Sequence, residues 1–327
     1  MNEVLAGIDI GGTKIAVALE TVGRERVATR FLPTQSEAGP FAVLEDVSRA
    51  IEEMLDENGD CKLVSIGVGS PGPLDMEKGL ILSPSNMRDW DRFPIVGILG
   101  ERFKVPVMLD NDANAAALGE YIYGAGRGYK NIVYITASTG IGGGIIINGE
   151  IFHGVSHGAG EIGHTVVLPD SDIRCYCGTV GCLEAVCAGA RIARRAQERL
   201  SNGEPSLINE MVRDVEEVTA KTVIEAARRK DRLATEIWDD ACRYLSVGVA
   251  NIFTLLAPEA VVIGGGMAAA GEMLFEPLRR ITPQFVSMIP HEKINIVPAE
   301  LGTESGICGA LVIARKASSN SFQIHAA

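Results

Sequence analysis

Two stretches decide how this chain folds: Val4-Leu-Ala-Gly-Ile-Asp-Ile-Gly-Gly-Thr-Lys-Ile-Ala-Val-Ala-Leu19 and Asn131-Ile-Val-Tyr-Ile-Thr-Ala-Ser-Thr-Gly-Ile-Gly-Gly-Gly-Ile-Ile-Ile-Asn148. Each reads as an apolar strand that stops at a glycine turn and resumes as a second strand. Two such units predict a duplicated α/β architecture with its glycine loops facing each other across a cleft. A phosphate needs several backbone N–H donors aimed inward, and glycine lets the chain approach that closely. Gly11 and Gly12 are followed by the Thr13 hydroxyl and the Lys14 ammonium, and Asp9 could hold a magnesium-bound water. Thr139 and Gly140 form a similar cradle in the second unit. One such loop alone reads as a tight turn; two at equivalent places read as phosphate sites.

Working outward, residues 41–57 have helical spacing, and a strand at 63–68 ends in Gly69-Ser-Pro-Gly-Pro73, which cannot be helical. Residues 67–72 match G-x-G-x-x-G, yet Pro71 and Pro73 stand where a dinucleotide motif would open a helix, and no P-loop pattern occurs. A helix at 95–103, a strand at 105–109 and a helix at 113–121 follow. The glycine-rich stretch 124–128 is a candidate hinge. Residues 185–250 are mostly helical, a strand at 260–263 ends in Gly264-Gly-Gly266, and a last helix at 305–316 precedes a polar tail expected to fray.

A chain of 327 residues exceeds what one core usually organises. The expected division is 1–117 plus 305–327 for one lobe and 118–304 for the other. Hydrophobic residues make up 46% and charged residues 22%, as in ordinary globular proteins. The net charge of -12 repels nucleic acid, and Arg191, Arg194 and Arg195 read as a solvated helix face. The N-terminus shows no export leader, and the longest apolar run, 245–257, is interrupted by Asn251 and too short for a bilayer. A cytoplasmic protein with no membrane partner is expected.

Three constellations carry chemistry. Asp110-Asn-Asp-Ala-Asn114 lies between a strand and a helix. Asp112 there reads either as the helix N-cap, a role worth about 1 kcal/mol, or as a carboxylate that accepts a hydroxyl proton at a strand end. Asn111 or Asn114 could share the capping. His164 with Cys175, Cys177 and Cys182 offers one imidazole and three thiolates, a set suited to tetrahedral Zn²⁺. Four protein ligands close the shell, so the zinc is expected to be structural. Glu161 and Glu184 flank these ligands and would be pinned beside the metal, able to accept bonds from a polyol. Cys61, Cys187, Cys242 and Cys308 read as inert core residues.

The stretches Asp9–Lys14, Gly69–Pro73, Asn111–Asn114, Ser138–Gly144, Glu161–His164 and Cys175–Glu184 together resemble the ROK group (repressors, open reading frames and sugar kinases), specifically its bacterial and archaeal glucokinases. The resemblance implies the actin/hexokinase-like, ribonuclease H-like two-lobed fold with an interlobe active site. It implies ATP-dependent phosphorylation of a hexose at its 6-hydroxyl, with glucose favoured over fructose, mannose or N-acetylmannosamine. Asp112 then corresponds to the general base, and Gly72, Asn86, Asn111, Glu161, His164 and Glu184 to sugar contacts. Gly11, Gly12, Thr13, Thr139 and Gly140 correspond to phosphate positions, and Gly265 and Gly266 to the adenosine side. ATP, Mg²⁺ and structural Zn²⁺ are the implied cofactors, and a homodimer or homotetramer the implied assembly. Position 138 is Ser where many relatives carry Gly. The family's repressors carry a helix-turn-helix ahead of the first glycine loop, and Gly11 comes too early for one.

Overall fold

The computed structural model describes residues 1–34, 38–83 and 89–324, with backbone alone for 320–324. The chain forms two compact units. The first comprises Met1–Arg127, Ile151–Ala159 and Thr303–Ala327; the second comprises Gly128–Glu150 and Gly160–Gly302.

In the first unit, strands β1 (Asn2–Ile10), β2 (Lys14–Thr21) and β3 (Arg26–Pro33) are followed by helix α1 (Pro40–Glu57) and β4 (Cys61–Ser70). A two-residue ladder, β5 (Leu74–Asp75) with β6 (Leu80–Ile81), precedes α2 (Ile95–Phe103), β7 (Val107–Asn111) and α3 (Asp112–Tyr123). The sheet order is β3-β2-β1-β4-β7. β1 is antiparallel to β2 and parallel to β4, which is parallel to β7. Successive side chains of a strand face opposite ways. Accordingly Ala6, Ile8 and Ile10 pack with Val43, Val47 and Ile51 of α1, while Leu5 packs with Ile307, Ala310 and Leu311 of the last helix, α9 (Ser305–Ile324).

At three glycines the contact with α9 is made by backbone. A Cβ on Gly67 would overlap the backbone of Ala310 and Ala314, one on Gly119 the carbonyl of Ser305, and one on Gly309 the backbone of Ala115. The buried Glu120 of α3 accepts from Ser305 Oγ at 2.8 Å and from the amide of Ala125 at 3.0 Å. That joins the start of α9 to the chain just beyond α3.

The second unit repeats the plan. Its sheet, β10-β9-β8-β11-β12, is built from β8 (Ile132–Ala137), β9 (Ile141–Ile147), β10 (Glu150–Ile151), β11 (Ala260–Gly264) and β12 (Ile296–Pro298). β8 and β9 form an antiparallel hairpin, and β11 is parallel to both β8 and β12. Helices α4 (Leu183–Cys187), α5 (Gly189–Ser201), α6 (Ala220–Arg228), α7 (Arg232–Leu256) and α8 (Glu272–Ile281) bury their apolar faces on it. Among the described residues no helix is long and apolar enough to cross a membrane.

Several local expectations change. Gly142, Gly143 and Gly144 belong to β9 and not to the loop, which is only Ser138–Gly140. The reason is crowding: a Cβ on Gly143 would run into Ile162 and the carbonyl of Gly160. The last helix reaches Ile324, eight residues beyond the expected end at 316. Cys61 opens β4 and is partly exposed, so it is no core residue.

If the α3–α9 crossing is as close as this, Gly309→Ala should destabilise the protein by about 2 kcal/mol or more. Denaturant unfolding measures this, and an unchanged midpoint would contradict backbone contact at that crossing.

Candidate functional site

In the first unit, strand register sets the site. Asp9 pairs with Gly69, and Gly69 with Asp110, so the parallel strands β1, β4 and β7 bring these positions into line near their C-terminal ends. Ligands of open α/β sheets gather at that edge. The hairpin register Ile10↔Ile15 leaves residues 11–14 as a turn, closed by the Gly11 amide on the Lys14 carbonyl at 3.0 Å. Thr34 braces the turn, its hydroxyl donating to the Gly11 carbonyl at 2.6 Å. Lys14 Nζ stands 4.2 Å from the Phe31 ring centroid.

Asn111 is the N-cap of α3, its Oδ1 accepting from the amides of Ala113 at 2.9 Å and Asn114 at 3.4 Å. The capping alternative for Asp112 is thereby corrected. Asp112 is the first residue of the helix, and its Oδ1 accepts from the adjacent Ala113 amide at 2.8 Å. A Cβ on Gly72 would lie 3.6 Å from Asn111 Nδ2, so the 69–73 loop passes beside Asn111.

Asp9 shares this edge. As a Cβ on Gly306 would collide with its carboxylate, the start of α9 rests against it. Burial, then the charge of Asp112, raises the Asp9 carboxyl to about 7, with Lys14 opposing.

In the second unit, the register Ala137↔Ile141 isolates the Ser138–Gly140 turn, which the Ser138 amide closes on the Gly140 carbonyl at 2.9 Å. Helix α5 starts on this turn: the amides of Gly189 and Ala190 donate to the carbonyls of Ser138 at 2.8 Å and Thr139 at 3.1 Å. Gly265, at φ 84°, abuts Ala137, where a Cβ would collide with the backbone, and Gly266 follows beside Ser138. Glu184, in the first turn of α4, accepts from the Ile141 amide at 2.7 Å. A Cβ on Gly140 would strike that carboxylate. The second glycine turn, Gly265–Gly266 and Glu184 thus form one cluster.

The cysteines join it at Cys182, two residues before Glu184. The ligand atoms of His164, Cys175, Cys177 and Cys182 all lie within 4.8 Å of one another. Cys175 Sγ is 3.5 Å from His164 Nδ1, and Cys177 Sγ is 3.7 Å from Cys182 Sγ. A tetrahedral zinc with ordinary bond lengths sets such edges at roughly 3.5 Å for S–N and 3.8 Å for S–S. The thiols also need a cation to ionise together. The Thr179 amide draws Cys177 below the ordinary thiol range, whereas burial and then Cys177 hold Cys182 above it. The residues fit zinc.

His164 turns Nδ1 to Cys175 and Nε2 outward, 3.1 Å from Tyr176 Oη and 3.9 Å from Glu161 Oε2. Thus Glu161, His164, the cysteines, Glu184, Thr139–Gly140 and Gly265–Gly266 come together in the second unit. Asp9, Gly11–Lys14, Gly72, Asn111 and Asp112 come together in the first. Asn86 lies outside the described residues. Sequence reasoning gave no role to Tyr176, although an aromatic inside Cys-x-Cys was a visible signal, nor to His153, whose ring meets Asp110.

Asp9 gives a pH prediction. Its folded pKa lies above the unfolded value, so the group is neutral in both states at low pH. It opposes folding increasingly from about pH 4, and fully above pH 7. Without nucleotide or Mg²⁺, Asp9→Asn should be more stable than wild type by roughly 4 kcal/mol at pH 8 and nearly equal at pH 4. Equal denaturation midpoints at both pH values would show that Asp9 is not buried beside Asp112.

Comparison with known proteins agrees in extent along the chain. A model described as the ROK family matches residues 5–317. A glucokinase from Halalkalibacterium halodurans is 38% identical over 308 residues, 93% of this chain and 92% of its own. One from Thermotoga maritima is 38% identical over 95% of this chain and 97% of its own. Among solved structures, a ROK family glucokinase from Streptomyces griseus in complex with glucose and AMPPNP matches with a TM-score of 0.80. It is 31% identical, over 96% of this chain and 99% of that one.

Proposed function

The chain belongs to the ROK family, with the actin/hexokinase-like fold, and we propose that it is an ATP-dependent glucokinase, transferring the γ-phosphoryl group to the 6-hydroxyl of glucose. One local observation supports this above the others. Asp112 stands at the strand-end edge of the first sheet, on the first turn of α3, with its capping duty taken by Asn111.

Phosphoryl transfer needs in-line positioning and neutralisation of charge on the phosphoryl oxygens. In this reading Asp112 accepts the proton of the attacking hydroxyl. Asn111 Oδ1 is committed to the helix cap, so its amide nitrogen is the group offered to the sugar, with Gly72 beside it. Glu161 and His164 Nε2 bind further hydroxyls, and Glu184 does so while one of its oxygens holds the Ile141 amide. Asn86 keeps its proposed place among the sugar contacts. Gly11, Gly12 and Thr13, with Thr139 and Gly140, offer backbone and hydroxyl donors to the phosphates, and Gly265 and Gly266 line the adenosine side. Asp9 and Lys14 face the nucleotide; Asp9 would hold its Mg²⁺, which supplies charge neutralisation when bound. Cys175, Cys177, Cys182 and His164 would hold a structural Zn²⁺, which when bound fixes the imidazole through Nδ1. The reading includes a cytoplasmic location and assembly as a homodimer or homotetramer.

An ADP-release assay with Mg²⁺-ATP over a hexose panel should give highest turnover on glucose. Dominant turnover on mannose, fructose or N-acetylmannosamine would move the acceptor, and none on any hexose would remove the kinase reading. Asp112→Asn should lower kcat by roughly 10²–10⁴-fold while glucose still binds. A near-normal kcat would remove Asp112 from the mechanism. Zinc removal by a chelator should lower the thermal midpoint and weaken glucose binding; an unaffected protein would refute the structural metal.

A further inference from the structure

Asp110 is almost fully buried, and both of its carboxylate oxygens are engaged. Oδ1 accepts from the Asn111 amide at 2.8 Å and from Asn114 Nδ2 at 2.8 Å. Oδ2 lies 2.8 Å from Nε2 of His153. All three partners belong to the first unit, because the chain joins that unit at Ile151 and leaves it after Ala159. We infer that His153 is a positioning residue for the phosphoryl transfer: through Asp110 it fixes the Asp110–Asn114 turn from which Asp112 reaches the sugar hydroxyl. The inference rests on the reading of Asp112 as general base.

The linkage is short. Asn111 and Asn114, the two residues that Asp110 holds, flank Asp112 and carry the helix cap. A buried carboxylate oxygen left without its donor is unfavourable, and Asp110 would relieve it by turning toward water. That turn would withdraw the acceptor from the Asn111 amide, one peptide from the base. Displacement of a reacting group by about 1 Å can slow a reaction by roughly 10²-fold.

His153 is itself held. Its carbonyl accepts from the Ala159 amide at 3.0 Å, closing residues 153–159 into a loop that turns at Gly154 with φ 64°. The His157 ring packs edge-on against it, with centroids 5.5 Å apart. The charged or titratable groups facing the imidazole are Asp110 from β7, His157 from its own loop and Lys316 from α9. The hydrogen bond to Asp110 raises the imidazole above its ordinary range, against burial and Lys316, which favours the form that donates from Nε2.

Glutamine places an amide nitrogen near the position of histidine Nε2, and asparagine places one near Nδ1, short of Asp110. His153→Gln should therefore keep kcat within about 3-fold of wild type. His153→Asn and His153→Ala should lose roughly 10- to 100-fold in kcat with KM for ATP changed less than about 3-fold. Hydrogen exchange at the amides of residues 111–114 should quicken in the Asn and Ala variants and stay slow in Gln, with β1 and β4 unaffected in all three. A kcat near wild type in His153→Asn, a loss confined to KM, or a Gln variant as slow as Asn would overturn the inference. If Ala fails to fold, the Gln and Asn pair still decides. Active wild type, inactive Asp112→Asn and indifferent His153 variants would reject this inference alone. If wild type turns over no hexose, the functional reading fails, and unchanged exchange at 111–114 rejects the link to Asp110 separately.

Discussion

Helix α9 can lie where it does only because glycine meets it at each crossing. Gly67 of the sheet, Gly119 of α3 and its own Gly309 bring backbone against backbone, leaving no room for a side chain. Interiors packed at crystal-like density tolerate no added methyl at such points. Much of the first unit's site follows from that fit. The start of α9 is pressed onto Asp9 at Gly306, and α3, which begins with Asp112, is held along its length by the same helix.

How much of this was legible in the sequence depended on separation along the chain. The two glycine hairpins announced themselves because strand, turn and strand are contiguous, and their duplication pointed to the repeated sheet. The His164 and cysteine cluster was legible for the same reason: its cysteines lie within eight residues, and His164 is close upstream. Against the capping alternative at Asp112 stands Asn111, whose Oδ1 takes the amides of Ala113 and Asn114. Pairings across long intervals left no trace. Nothing local in His153 tells of Asp110, 43 residues earlier, and nothing in Glu184 tells of the Ile141 amide. The glycines at 142–144 misled because a run of glycine reads as a loop, whereas here it thins a strand to admit residues 160–163.

The two units divide the chemistry by charge type. The first holds hard carboxylates, with Asp9 and Asp112 close enough that one raises the other. Such a pair suits a site that receives Mg²⁺ and a triphosphate, because incoming cations relieve a repulsion built into the apo protein. The second holds thiols and an imidazole, a donor set that fits a borderline metal such as zinc.

The bond from the Ile141 amide to Glu184 limits what can replace that side chain. A side chain that braces the turn behind Thr139 and Gly140 is constrained by it, since any replacement must still hold that turn. Tyr176 carries no such double duty: it is exposed and touches His164 from outside, between Cys175 and Cys177 in the chain. Of the two side chains, Glu184 is the one whose replacement disturbs a neighbouring turn, and Tyr176 the one that can change without doing so.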